Sequence, residues 1–120
     1  MIRIKRVYEK PSGRDGIRIL VDRVWPRGCT KEQARLDAWR KDLAPSTALR
    51  AWFGHDPAKW MEFQTRYRNE LSLPAQKSAV EDLARLAHAQ TITLLYGTSA
   101  TEHNQAVVLK DCIDNAKSAS

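Results

Sequence analysis

One predicted strand, residues 17–25, constrains the fold of this chain most, because it carries apolar residues on both of its faces. Side chains alternate along a strand, so Ile17 and Ile19 share one face while Leu20 lies on the other. A strand that is apolar on both faces is typical of the middle of a sheet that is covered on both sides. Pro26 has no N–H group to donate to a sheet, so the strand is expected to end there.

The segments around this strand alternate between strand and helix patterns. Strands are also predicted over residues 2–8, 91–96 and 38–43, the last of these ended by Pro45. Apolar residues at helical spacing predict helices over residues 31–36, 47–53, 57–71, 74–89 and 100–116. The interleaved pattern predicts an α/β fold: a small three-layer domain with a short, mostly parallel sheet flanked by helices. This single domain is expected to span residues 1–120, with an ordered core over about 2–116.

Polar residues with N-cap chemistry mark the predicted helix starts. Thr30 with Gln33, and Ser99 with Glu102, have the spacing of capping boxes, in which each side chain satisfies a free backbone N–H of the first turn. Ser46 is placed to cap the helix that follows it. These caps predict that the last helix begins directly after Ser99.

The net charge of +6 is distributed unevenly along the chain. Residues 1–60 hold fourteen Lys and Arg against seven Asp and Glu, whereas residues 61–120 hold six against seven, so the halves carry +7 and −1. A positive field attracts phosphates, nucleic acid or acidic metabolites. The basic half is therefore the part of the chain expected to face an anionic partner.

Other simple classes of protein do not fit this sequence. No apolar run is long enough to span a bilayer, and the N-terminal basic residues precede no apolar signal region, so no membrane association is expected and the cytoplasm is the expected location. Cys29 and Cys112 lie far apart and the three histidines lack metal-ligand spacing, so we predict free thiols, no metal and no cofactor.

Two predicted strand ends carry polar residues, and ligands of open α/β sheets bind beyond the carboxyl ends of strands. One end includes Arg23 and Arg27, whose planar guanidinium groups suit phosphate or carboxylate. The other end, residues 96–104, combines a glycine turn with hydroxyl groups and a predicted helix start. His55 and His103, both near predicted helix starts, are the candidates for acid/base chemistry. These residues form one site only if the fold brings the two strand ends together.

The chain resembles the YeaO-like branch of domain-of-unknown-function family 488. The resemblance rests on the blocks VDRVWPRG (21–28), KDLAPS (41–46), LRAWFGHDP (49–57), TLLY (93–96) and EHNQA (102–106). It implies a compact bacterial cytoplasmic α/β domain whose signature blocks gather near one sheet edge, and it implies no particular reaction. Longer members carry cysteines and a Cys-His-Arg block after the last strand. This chain has Tyr96 and HNQ (103–105) in that region instead, which argues against a thiol or metal site.

Three interpretations of these residues remain open. The first is a pocket for a small anionic ligand such as a nucleotide, a nucleobase derivative or a phosphate ester, and both binding alone and acid/base catalysis fit it. Its candidate catalytic residues are His55 and His103, and its candidate ligand-binding residues are Asp22, Arg23, Trp25, Arg27, Lys41, Ser46, Arg50, Tyr96 and Asn104. The second is a nucleic-acid-binding module that uses the basic half as a surface. The third is that the arginines only form ion pairs with Asp22, Asp42 and Asp56.

Overall fold

A four-stranded parallel sheet forms the middle of the protein. The computed structural model describes the backbone of residues 1–119 and the side chains up to residue 116. The strands β1 (Ile2–Arg6), β2 (Ile17–Leu20), β3 (Ala38–Trp39) and β4 (Ile92–Tyr96) lie in the order β1-β4-β2-β3, and every pair is parallel. The predicted end of the ordered core at about residue 116 coincides with the limit of the described side chains and stays a prediction.

Helices cover the sheet. The α-helices are α1 (Lys31–Ala34), α2 (Thr47–Phe53), α3 (Trp60–Leu71), α4 (Pro74–Ala89) and α5 (Gln105–Ala119), and short 3-10 helices occur at Gly13–Asp15, Lys41–Leu43 and Pro57–Lys59. No helix in the part of the chain that the structure describes is long and apolar enough to cross a membrane. The predicted small three-layer α/β domain is confirmed.

The two faces of the sheet are covered by different amounts of structure. Ile92, Leu94 and Tyr96 of β4 belong to a large core formed with α2, α3, α4 and α5. Leu95 points to the opposite face, where a smaller cluster includes Leu20 and residues in and around the one-turn helix α1. The central strand is therefore apolar on both faces, and burial of those apolar side chains is what holds the layers together.

The second face also contains a buried ion cluster. The carboxylate of Asp15, fully buried, lies 2.5 Å from the guanidinium of Arg18, 3.1 Å from Lys5 and 3.6 Å from Arg3. Burial alone would raise the pKa of Asp15, but its hydrogen bonds with the Ser12 backbone and with Lys5 and Arg18 outweigh burial and lower it. These three cations of the basic half thus serve the fold.

Two predicted strands are shorter than expected. The strand predicted over residues 17–25 ends at Leu20. Beyond it, Val21 N–H still bonds to the Leu95 carbonyl oxygen at 3.0 Å, and the Asp22 carbonyl accepts from the Trp39 side chain at 2.7 Å. The strand predicted over residues 38–43 stops at Trp39, because its partner β2 has ended, and the chain turns into a 3-10 helix. The apolar residues beyond Leu20 pack as a loop, which the alternation pattern does not distinguish from a strand.

The ends of three other elements also differ from the prediction. The first strand ends at Arg6 rather than at residue 8, where a turn begins with Glu9 N–H bonding back to the Arg6 carbonyl at 3.0 Å. Helix α1 ends at Ala34, not at residue 36, because Arg35 adopts a left-handed conformation with φ of 47°. The helix predicted over residues 57–71 begins with a 3-10 turn and becomes α-helical at Trp60.

The capping predictions are right for two helices and wrong for the last. Thr30 and Gln33 form the predicted capping box, and Ser46 caps α2 by accepting a hydrogen bond from Leu49 N–H at 3.1 Å. The predicted box of Ser99 and Glu102 is wrong, since α5 begins only at Gln105. The side chain of Asn104 fulfils the capping role there, accepting from Val107 N–H at 3.2 Å. Residues 97–104 are consequently an irregular loop beside the end of β4.

Candidate functional site

A pocket of about 390 Å³ opens where β2 and β4 end, beside α2 and the start of α5. It lies at the carboxyl edge of the sheet, where parallel α/β domains usually hold their ligands. Six of the eleven predicted site residues line it: Asp22, Arg23, Arg50, His55, His103 and Asn104. The two strand ends singled out in the sequence therefore do meet.

Asp22 is held in place on the pocket wall by two hydrogen bonds. Its Oδ2 accepts from Gly97 N–H at 2.9 Å, and its Oδ1 accepts from the side-chain amide of Gln105. A Cβ atom at position 97 would lie 2.9 Å from this Oδ2, so glycine is what lets the carboxylate approach the backbone. These bonds connect the end of β2 to the end of β4 and the first turn of α5.

Burial raises the pKa of Asp22 from 3.8 to about 6. The hydrogen bonds from Gly97 and Gln105 and the positive charge of Arg50 lower that pKa, but they do not cancel the loss of hydration. Asp22 therefore changes its charge near pH 6, within the pocket.

The two arginines of the pocket differ in how they are held. Arg23 donates from Nε to the Pro45 carbonyl at 2.9 Å and from Nη2 to the Ala44 carbonyl at 3.3 Å, so the loop before α2 fixes its guanidinium. Arg50 is exposed on α2, and no described side chain forms a hydrogen bond or ion pair with it. Arg50 is thus a cation at the pocket with its donors still available.

Both histidines lie at the ends of a row of aromatic rings. The row runs His103–Trp60–Phe63–Phe53–His55, with successive ring centroids 4.8, 5.7, 4.3 and 6.3 Å apart. All of these except Trp60 line the pocket. His55 has a positive φ of 58°, an uncommon conformation for a residue other than glycine, and such conformations concentrate at functional sites.

The other five predicted site residues lie outside the pocket lining. Trp25 packs edge-on against Trp39 at 5.3 Å and donates to the Cys29 carbonyl at 2.6 Å. Lys41 places its ammonium 4.0 Å from the Trp39 ring, and exposed Arg27 accepts a hydrogen bond from Tyr8 on its carbonyl oxygen at 2.6 Å.

Ser46 and Tyr96 have structural contacts. The Ser46 hydroxyl donates to Glu70 at 2.6 Å while it caps α2. Tyr96 is buried in the large core, and burial raises its pKa. Neither side chain lines the pocket, so the aromatic rings of the pocket are not those of the predicted ligand-binding residues.

Several pocket residues were missed in the sequence. The apolar spacing of Phe53 and Phe63 predicts that both side chains are buried in the core. Both do belong to the core, but they also line the pocket. Thr98 lies between β4 and α5 and Gln105 is the first residue of α5, yet only the fold shows that both line the same pocket as Asp22 and Arg50. The ion pairs proposed between Arg23, Arg27 or Arg50 and aspartates do not form; Asp42 pairs with Arg40 and Asp56 caps a 3-10 turn.

The described part of the chain contains no group of side chains arranged as metal ligands. No three His, Cys, Asp or Glu side chains among the residues described are grouped so that they could hold a metal ion. The pocket offers guanidinium, imidazole, amide and hydroxyl donors, which suit an anion, together with one carboxyl group, that of Asp22.

The fold and the pocket define a small parallel α/β domain with arginine and histidine at the carboxyl edge of its sheet. The chain belongs to a family described as the inactive DUF488-N3 subclade, whose model matches residues 1–120. The resemblance seen in the sequence blocks is thereby confirmed.

Two uncharacterized bacterial proteins illustrate the relationship. YeaO of Escherichia coli K12 is 43% identical over 110 residues, which cover 92% of this chain and 94% of YeaO. A protein of Mycobacterium tuberculosis H37Rv is 37% identical over 113 residues, covering 94% of this chain and 93% of that protein. No solved structure matches the chain.

Proposed function

We propose that this protein binds a small anionic molecule, of the nucleotide, nucleobase-derivative or phosphate-ester class, in the pocket at the carboxyl edge of its sheet. The observation that carries the proposal is that Arg23, Arg50, His55 and His103 line one pocket although they come from three separate segments of the chain. Guanidinium groups bind phosphate and carboxylate through paired hydrogen bonds, and Arg50 forms no hydrogen bond or ion pair with a described side chain.

The description of the subclade as inactive supports binding without turnover. The histidines then act as hydrogen-bonding groups for the ligand, and acid/base catalysis by His55 and His103 is the less favoured form of the proposal. The pocket is within the size range of small-molecule sites, about 300–1,000 Å³. Binding rather than reaction is accordingly the property to measure.

The Arg50→Ala variant tests the proposal directly. Arg50 is exposed and makes no hydrogen bond or ion pair within the described side chains, so its removal should leave stability nearly unchanged. Inorganic phosphate, phenyl phosphate and nucleoside monophosphates serve as probes in a thermal-shift screen, in which binding raises the melting temperature by mass action. Loss of a charge-assisted hydrogen bond of about 1.5–3 kcal/mol should weaken binding by about 10- to 100-fold.

The matched control is Arg85→Ala, since Arg85 is an exposed arginine that pairs with Asp82 away from the pocket. This control should bind each probe as the unaltered protein does. If no anion raises the melting temperature, or if both variants weaken binding equally, the pocket is not the binding site.

Nucleic acid binding is a second candidate, favoured by one observation. Exposed cations are concentrated in residues 10–41: Lys10, Arg14, Arg27, Lys31, Arg35 and Lys41. Binding through these groups should weaken steeply as salt rises, because neutralised phosphates release their counterions. Titration of DNA and RNA at several salt concentrations measures this, and binding that is absent or insensitive to salt would exclude the candidate.

A further inference from the structure

The row of aromatic rings beside the pocket bears on which anionic ligands the pocket can bind. His103 stacks on Trp60 with centroids 4.8 Å apart and an angle of 23° between the planes. His103 is exposed and lines the pocket, so its imidazole ring can be reached from the pocket. The stack therefore ends at an aromatic ring that is accessible to a ligand.

The same row continues below the pocket through buried rings. Phe63 and Phe53 are nearly parallel, with centroids 4.3 Å apart and planes at 24°, and both are buried while still contributing to the pocket lining. At the other end of the row lies His55, an exposed residue whose ring centroid is 6.3 Å from that of Phe53. The two buried phenylalanine rings lose little freedom when a further ring packs against them.

Cationic side chains share this pocket with the rings. Arg23, fixed by two carbonyl oxygens, and Arg50, available on α2, line the pocket together with the aromatic row. Guanidinium groups bind an anion in their plane and stack on rings with their faces. A ligand that satisfied both kinds of lining would need a flat ring and an anionic group on it.

We infer that the pocket is specific for aromatic anions, that is, a planar ring bearing a carboxylate or phosphate, with the ring packed against the His103 end of the aromatic row and the anionic group at Arg50. This inference rests on the proposed anion-binding function and narrows its ligand class. It assigns Trp60 a supporting role, since Trp60 holds the His103 ring without lining the pocket itself.

Paired probes of equal charge test the inference on the full chain at pH 7. Benzoate and cyclohexanecarboxylate have the same anionic group and similar size, but only benzoate is flat and aromatic, while phenyl phosphate tests the other anionic group. Isothermal titration should show benzoate binding about three- to tenfold more tightly than cyclohexanecarboxylate, the range expected for one aromatic contact. Phenyl phosphate should likewise bind more tightly than inorganic phosphate.

Variants identify the origin of this preference. His103→Ala should reduce the ratio of the benzoate and cyclohexanecarboxylate affinities to about one, and His103→Phe should restore it. His88→Ala is the matched control, because His88 is an exposed histidine near the end of α4 and does not line the pocket. It should leave the ratio unchanged.

The outcomes separate the inference from the function on which it rests. Equal binding of benzoate and cyclohexanecarboxylate, with both weakened by Arg50→Ala, would overturn the aromatic inference and leave the anion site intact. A benzoate preference that persists in His103→Ala would also overturn it, since the aromatic row would not be the cause. Binding of none of the probes would overturn the proposed anion site and this inference together.

Discussion

The half-buried carboxyl group of Asp22 should make the protein less stable as pH rises from about 4 to 6. Its pKa is about 6 in the folded protein and 3.8 when exposed, so the folded chain holds a proton that the unfolded chain releases. Stability falls with pH wherever the folded state binds more protons than the unfolded state. Above about pH 6 the carboxyl is ionised in both states, and its effect becomes constant.

Asp22→Asn should remove this pH dependence and stabilise the protein at neutral pH. The raised pKa corresponds to about two pH units at 1.36 kcal/mol each, so burying the ionised form costs at most about 3 kcal/mol. Asparagine keeps the oxygen that accepts from Gly97 N–H, and its amide can donate to Gln105 once that side chain rotates by half a turn. The free energy of unfolding of the variant should therefore exceed that of the unaltered protein by up to about 3 kcal/mol at pH 7 and equal it near pH 4.

Urea denaturation between pH 4 and pH 8 measures this difference directly. Asp42→Asn is the control. The hydrogen bond from Arg40 lowers the pKa of Asp42 below 3.8, so the contribution of this carboxylate to the free energy of unfolding changes only below pH 4. The control variant should differ from the unaltered protein by a constant amount over the range. If Asp22→Asn also shows a constant difference, or destabilises the protein at pH 7, the carboxylate is not penalised by burial.

Two further substitutions test the structure outside the pocket. Asp15→Ala leaves three cations around an empty buried position and should lower the free energy of unfolding, measured by urea denaturation, by about 3–5 kcal/mol. Asp82→Ala removes an exposed ion pair and should lower it by less than about 1 kcal/mol. Equal losses in the two variants would contradict the buried cluster. Gly16→Ala should cost more than about 2 kcal/mol, since φ is +63° and the new Cβ would lie 2.1 Å from the Thr91 carbonyl oxygen. Gly13 has open space around it, so Gly13→Ala should change the midpoint of urea denaturation little. A similar loss of stability in the two alanine variants would refute the predicted clash at Gly16.

Local signals in the sequence were sufficient for the long elements. Helix α4 lies at Pro74–Ala89 as predicted, because proline at its start and apolar residues at helical spacing both favour it. Helix α2 matches as well, from the Ser46 cap to the left-handed Gly54. In these segments the local preference of the chain agrees with its tertiary environment.

Strand length could not be predicted, because it depends on a partner elsewhere in the chain. Residues 21–25 have strand-like composition, yet Val24 is 56% exposed and Trp25 turns away to pack with Trp39. The start of α5 depends on a similar competition, in which Asn104 caps the helix and Ser99 does not. The strand end depends on contacts distant in sequence, whereas Asn104 caps α5 through hydrogen bonds with residues three or four positions away, and spacing alone did not favour it over Ser99.

The early end of β2 is also what creates the pocket. If the strand continued to residue 25, Asp22 and Arg23 would alternate across the sheet and point to opposite faces. Instead the chain leaves the sheet after Val21, so Asp22 reaches Gly97 and Arg23 reaches the carbonyl of Pro45, and both side chains line one pocket. Two departures from the predicted pattern, the shortened strand and the delayed start of α5, therefore have one structural consequence: they open the carboxyl edge of the sheet between β2 and β4. The half-buried carboxyl group of Asp22, whose pKa burial raises to about 6, lies at this opening.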